Sequence, residues 1–301
     1  ACGGSDSKDY WGDTSGGGDE EPTENPNASK PRYIWIDAAA NFPDFANSKE
    51  NIARDLALAK DAGFTDIVVD VRPTTGDVLF KTNHVDQVKF MYAWIGSNYT
   101  KVERTATWDY LQAFVDEARK QGLRIHAAIN TFVGGNQIDG GTGLLYRDQS
   151  KAAWATQMNM QTGITSVMNT SESAKFFNPA HPEVQTFLCN LLKDLASYDL
   201  DGIFLDRGRF LNLQADFSEE SRKQFEAYMG GIKIQNYPDD ILAPGASSLP
   251  ATYPKYMTKW LEFRAKVIYD FMQKARTAVK EVNSKIKFGV YVGGWYSSYY
   301  D

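Results

Sequence analysis

The chain has 301 residues, 43% hydrophobic and 23% charged, enough to build a sizeable core in one large or two average domains. Lys and Arg total 32 against 38 Asp and Glu, a formal net charge of −6 with a pI near 5.2, which argues against a nucleic-acid binder. No apolar run reaches the roughly 18 residues of a membrane span, and 3 His with 2 Cys leave too little material for a disulfide scaffold or a His- or thiolate-rich metal centre, so no cofactor is expected.

Residues 1–31 are rich in Gly, Ser, Asp, Glu, Asn and Pro and show no hydrophobic periodicity. Such a segment buries too little apolar surface to offset its ordering entropy, so it reads as a disordered tether. Its start, Ala1-Cys2-Gly3-Gly4, looks like the end of a bacterial lipoprotein signal. That predicts lipidation of Cys2, a lipid anchor in a membrane, and a place in the bacterial cell envelope, at the outer-membrane surface or in the periplasm. Cys189, within an apolar helical stretch, reads as a small core residue.

From residue 32 to 301 short apolar runs alternate with helical patterns. Five runs read as strands buried on both faces: Tyr33–Ala38, Asp66–Arg72, Arg124–Phe132, Asp201–Asp206 and Lys285–Trp295. Helices are predicted at Lys49–Ala62, with Ser48 as N-cap and Gly63 beyond its end, and at Trp108–Gln121, between Thr107 and Gly122. Three more follow at Pro182–Ser197, Ser218–Met229 and Tyr256–Asn283. This alternation implies right-handed crossovers and a parallel sheet. The first strand ends Asp37-Ala38-Ala39-Ala40-Asn41, without the Gly-rich phosphate turn of a doubly wound sheet. The expected architecture is therefore α/β, a (β/α)8 TIM barrel. Five strands where eight are needed suggest that about five N-terminal βα units are present, truncated at the C-terminus.

In such a barrel the chemistry sits at the carboxyl ends of the strands. Those ends carry Asp37, Asp70 with Arg72, Asn130, Asp206 with Arg207 and Arg209, and Trp295 followed by Tyr296. A buried carboxylate without a partner is costly, so each needs either a brace or a job. Phe204 and Asp206 share a strand face, and if that face lines the lumen Asp206 points into the mouth. There it serves as nucleophile or oxocarbenium stabiliser in glycoside cleavage, with Asp37, Asp70 or a residue of the expected missing portion as partner, or else it forms a structural pair with arginine. Arg72 and Asn130 have matching alternatives: substrate binding or bracing. Trp295 and Tyr296 offer ring faces for a pyranose, and 13% aromatic content exceeds what a core requires. Trp94 and Trp154, in loop-like stretches, are weaker platforms. His126 reads as a core histidine, His181 as part of a turn, and His84 as surface.

Several of these stretches together resemble the glycosyl-hydrolase-like 10 family of barrel lipoproteins. They are Tyr33-Ile34-Trp35-Ile36-Asp37, Asp70-Val71-Arg72-Pro73, Asn178-Pro179-Ala180-His181-Pro182 and Asp201-Gly202-Ile203-Phe204-Leu205-Asp206, with Trp260, Phe263 and Arg264 and then Lys287-Phe288-Gly289-Val290. The resemblance spans about residues 32–296. It implies a TIM barrel that cleaves or binds a polysaccharide or oligosaccharide, and it carries the family's catalytic Asp after strand four onto Asp206. The family has a second acidic residue beside that Asp, whereas this chain has Arg207-Gly208-Arg209. The departure leaves two expectations open: a glycoside hydrolase, or a non-catalytic glycan-binding lipoprotein on the same barrel.

Overall fold

The structure, a computed structural model, describes residues 30–293. The chain divides into Ala1–Pro31 and Arg32–Asp301, and every element below belongs to the second unit. Five strands form one parallel sheet: β1 (Tyr33–Ile36), β2 (Asp66–Arg72), β3 (Arg124–Asn130), β4 (Gly202–Asp206) and β5 (Lys287–Val290). Their order in the sheet is their order in the chain. Every crossover therefore steps the same way, as in a barrel, rather than reversing at a switch point.

The helices between them are α1 (Lys49–Asp61), α2 (Tyr110–Gln121), α3 (Pro182–Ala196), α4 (Glu219–Tyr228) and α5 (Met257–Val282). Local chemistry sets their ends. The Ser48 hydroxyl accepts from the Asn51 amide, and Ser218 does the same for Ser221. At α2 the cap is Asp109 rather than Thr107, and Gly122 closes the helix in the left-handed region at φ 68°.

Alternation divides the sheet cleanly. Ile67, Val69 and Val71, Ile125, Ala127 and Ile129, and Ile203 and Leu205 turn to the helices, joining Leu56, Phe114, Leu188, Leu192 and Phe271 in the main core. Tyr33, Trp35, His126 and Phe204 lie on the other face, in ring contact with one another. That face is strongly concave. Four strand spacings in a flat sheet would separate β1 and β5 by about 19 Å, yet the rings of Trp35 on β1 and Tyr291 just after β5 lie 5.6 Å apart. A second apolar cluster, built on Phe217, Phe225, Trp260 and Phe263, fills the connection between β4 and β5.

The end of the sheet away from the strand tips is sealed by charge. Asp66, fully buried, accepts from Arg124 (2.9 and 2.8 Å) and is bonded to the His126 imidazole (2.7 Å) and the Thr65 hydroxyl. Burial alone would raise the pKa of this carboxyl, but these donors outweigh it and hold the group below its usual range. Next to His126, the Asp-Gly-Ile stretch has a steric reason. A Cβ on Gly202 would sit 2.4 Å from His126 Nδ1. Asp201, beside it, accepts from the Ile125 amide (2.8 Å) and from Arg119 (2.8 Å).

Some elements differ from expectation. The fifth strand ends at Val290 rather than Trp295. Three antiparallel pairs went unforeseen: Phe90–Ile95 with Asn98–Glu103, Gln157–Met160 with Gly163–Ser166, and Val133–Asn136 with Ala174–Phe176. Trp94 thus stands on a strand rather than in a loop. Cys189 is half-buried against the core.

Candidate active site

The strand tips converge on one cleft of about 120 Å³ lined by Trp35, Asp37, Asp70, Met91, Asn130, Asp206 and Arg207, among others. Period-two alternation delivers these side chains. Trp35 and Asp37, Val68 and Asp70, Ala128 and Asn130, and Phe204 and Asp206 are each two apart, so an apolar residue on the concave face is followed by a polar one at the rim.

Backbone amides anchor the three carboxylates. Asp37 Oδ1 accepts from the amides of Ala39 (2.8 Å) and Ala40 (2.7 Å), in the turn leading to the short helix Phe42–Phe45. Asp206 Oδ1 accepts from the Arg207 amide at 2.7 Å, and Asp70 Oδ1 from the Arg72 amide at 3.1 Å. The second oxygens of Asp37 and Asp206 have no hydrogen-bond partner among the described residues. Asp70 is the perturbed member. Burial, reinforced by the neighbouring Asp37 and Asp206 charges, pushes its pKa up to about 7 against the pull of the Arg72 and Ala38 amides. Behind it, the Tyr110 hydroxyl is buried without a partner among the described residues. Burial raises the pKa of this phenol, and the charges of Asp70 and Asp37 add to the effect.

Asn130 and Arg207 form the cleft's polar wall. The Asn130 amide donates to the Arg72 carbonyl (2.9 Å), and its Oδ1 accepts from Arg207 Nε (2.9 Å). Arg207 itself stands in the left-handed region at φ 48°. Among the described residues its guanidinium has no carboxylate within ion-pair distance.

Two of the predicted substrate-binding residues are placed elsewhere. Arg72 has no exposed surface, and its guanidinium donates to the carbonyls of Asn130, Thr131 and Val133. A register shift between Asp70 and Arg72 pairs Arg72 with Ile129, which turns to the helices, so plain alternation misplaces its side chain. It braces the loop beyond β3, and burial lowers its pKa to about 10. Arg209 is exposed, lies over the Phe176 ring at 5.2 Å, and donates to the carbonyls of Phe210 and Leu211. Cys2, Trp295 and Tyr296 fall outside the described residues.

Trp35, 39% exposed, is an aromatic ring in the cleft wall that sequence reasoning did not single out. Its signal was its position two residues before Asp37, the same offset that relates Phe204 to Asp206. Trp154 is buried, with its indole N–H on Glu183 (3.0 Å), and is no platform. His181 caps α3 through Nδ1 at the Glu183 amide (3.2 Å), and Asn178 ties the same turn to Ser218 and Ser221 of α4. His84 lies 3.6 Å from Asp194 on the outside of the sheet's helical layer. Among the described residues no group of three or more His, Cys, Asp or Glu is gathered to hold a metal ion. No helix among them is long and apolar enough to cross a membrane.

Comparison with known proteins bears on the fold and the family. An S-layer-related protein of Niallia circulans is 32% identical over 279 residues, covering 89% of this chain but only 17% of that protein's length. Among solved structures, the glycoside hydrolase domain of PgaB (BpsB) from Bordetella bronchiseptica superposes with a TM-score of 0.55 at 14% identity, covering 86% of this chain and 64% of that one. α-L-Fucosidase isoenzyme 2 from Paenibacillus thiaminolyticus gives 0.54 at 15%, covering 88% and 33%. The β-amylase catalytic domain from Paenibacillus polymyxa gives 0.52 at 13%, covering 86% and 65%. At such identities the likeness is one of fold, a parallel α/β sheet of the TIM-barrel type. The family profile for glycosyl hydrolase-like 10 matches residues 30–301, and the chain belongs to that family.

Proposed function

We propose that this protein hydrolyses glycosidic bonds in a polysaccharide or oligosaccharide, with Asp70 as general acid and Asp206 as its carboxylate partner. The observation that supports this reading is the gathering of three carboxylates in one cleft, one of which keeps its proton up to about pH 7. Glycosidases need carboxyl groups whose environments differ, one to protonate the leaving oxygen and one to act at the anomeric carbon. Asp70 is half-buried and supplies the proton. Asp206, anchored through one oxygen, presents the other as nucleophile or as base for a water. Burial, with the Asp37 charge adding to it, keeps Asp70 protonated, and Trp35 offers an apolar face to a sugar ring. Released reducing ends on a polysaccharide panel test the assignment. Asp70→Asn and Asp206→Asn should each lower turnover by about 100-fold or more, and unchanged turnover in either removes that residue from the mechanism.

A second reading, glycan binding without turnover, draws on Arg207, which occupies the position where the family carries another acid. Saturable glycan binding by a wild type that releases no reducing ends from any substrate of the panel would favour it. We also propose that Cys2 carries a lipid that holds the protein at the bacterial cell envelope. Metabolic labelling with palmitate should mark the wild type and spare Cys2→Ala, and an unlabelled wild type rules the anchor out.

A further inference from the structure

The hairpin Phe90–Ile95/Asn98–Glu103 stands in the connection between β2 and α2, on the side of the sheet where the strand tips lie. Alternation puts Phe90, Tyr92 and Trp94 on one face. The pairs Trp94↔Tyr99 and Tyr92↔Lys101 add Tyr99 and Lys101 to it. The opposite face is fixed in place, with Met91 and Ala93 buried and Met91 lining the cleft.

On the free face the rings make a continuous row. Phe90 and Tyr92 are 6.0 Å apart, Tyr92 and Tyr99 stack at 5.3 Å with planes 28° apart, and Tyr99 meets Trp94 at 5.2 Å. The row ends in the open, with Trp94 68% exposed and Tyr99 57%. It is also held rigid. The Tyr92 hydroxyl donates to Asp139 Oδ1 at 2.8 Å, and Lys101 Nζ lies 2.9 Å from Asp139 Oδ2 and 4.4 Å from the Phe90 ring centroid. Asp139 comes from the loop beyond β3, so two connections of the sheet cooperate to set the row. The core gains nothing from leaving Trp94 and Tyr99 in water, and exposed apolar patches of this kind mark interaction surfaces.

We propose that this aromatic row is a second glycan-binding surface, which holds consecutive sugar rings of a polysaccharide beside the cleft. The proposal rests on the glycan reading of the cleft. A pyranose has an apolar C–H face rimmed by hydroxyls, and the row offers ring faces rimmed by the Tyr99 hydroxyl, the Lys101 ammonium and the Asp139 carboxylate. The row and the cleft share one hairpin, since Met91 lines the cleft from the face opposite the rings. A lipid surface fits it less well. Ile95 beside the turn is exposed, but Gly96 and Ser97 bring no apolar side chain, and the whole chain carries a net charge of −6. A folded partner would need roughly 800 Å² per side, so it would have to reach well beyond the row of rings.

The test is native affinity electrophoresis of the full chain in gels containing barley β-glucan, xylan, galactomannan or glycol chitin. Three variants are compared with the wild type: Trp94→Ala/Tyr99→Ala, Trp35→Ala and Asp206→Asn. Wild type should be retarded in at least one gel, and the Trp94→Ala/Tyr99→Ala protein should lose about tenfold or more in affinity. Its thermal transition and its turnover of short oligosaccharides should stay unchanged. Asp206→Asn should keep the retardation. Equal retardation of wild type and double variant overturns the proposal, as does the absence of retardation in every gel. Loss in the double variant of binding to vesicles of phosphatidylcholine, with no change in the gels, overturns it in favour of a lipid. Turnover of short oligosaccharides without retardation leaves the cleft reading standing while the row falls. Retardation that depends on Trp94 and Tyr99, with no turnover at all, does the reverse.

Discussion

Asp70 shows how a single side chain couples chemistry to stability. Its folded pKa, about 7, lies above the usual carboxylate value near 4, so between those pH values the folded chain holds a proton that the unfolded chain has released. The stabilising effect is complete below about pH 4 and is lost as pH rises through 7. Asp70→Asn should therefore melt a few degrees above wild type at pH 8 and level with it at pH 4 in calorimetry, and an equal gap at both pH values would contradict this. If Asp70 is the acid, turnover should fall on the alkaline side with a midpoint near pH 7. Asp37→Asn removes one of the charges that raise Asp70, so it should move that midpoint to lower pH. Gly202→Ala makes a purely steric prediction. With 2.4 Å to His126 Nδ1, the added methyl should cost about 1–3 kcal/mol in denaturant unfolding. The carboxylates were legible because polar residues ending apolar strands stand out. Of the two roles left open for Arg72, bracing prevails because a single bulge, invisible to alternation, turns its side chain into the protein.

At the scale of elements, caps and glycine stops were readable within a residue or two, since Ser48, Gly122 and Pro182 act through local geometry alone. The hairpin carrying the aromatic row was not. Its strands mix exposed Trp94 and Tyr99 with buried Met91 and Ala93, and only the surrounding connections decide which face is covered. The Asn178-Pro179-Ala180-His181-Pro182 turn proves to be a joint between α3 and α4. Asn178, buried, accepts from the Ala180 amide (2.9 Å) and donates to both Ser218 and Ser221. Asn178→Ala leaves those groups short of partners and should cost about 1–3 kcal/mol. His181→Ala, which removes one partly exposed cap, should cost about 1 kcal/mol. Thermal melting of the two variants checks the order, and the reverse order would mean that the joint lies elsewhere.

For the molecule as a whole, parallel strands in chain order followed from the spacing of apolar runs and the missing phosphate turn. The barrel expectation implied a curved sheet, but not how tight, because curvature is a sum of small twists that no local pattern records. Trp35 meets Tyr291 across the concave face, and Phe204 lies between Trp35 and His126. Among the described residues the first strand and the end of the fifth are thus in touch, like the two ends of a bent hoop. The gape of the mouth is then a property of all five strands together and not of the residues that line it. A methyl group at Gly289, 2.8 Å from the Phe204 ring, would wedge the hoop from its far edge. It should raise KM for a sugar it never touches while leaving the Asp70 midpoint in the pH profile where it was. A gain or loss of fit at the mouth can therefore arise from substitutions on the opposite rim of the sheet.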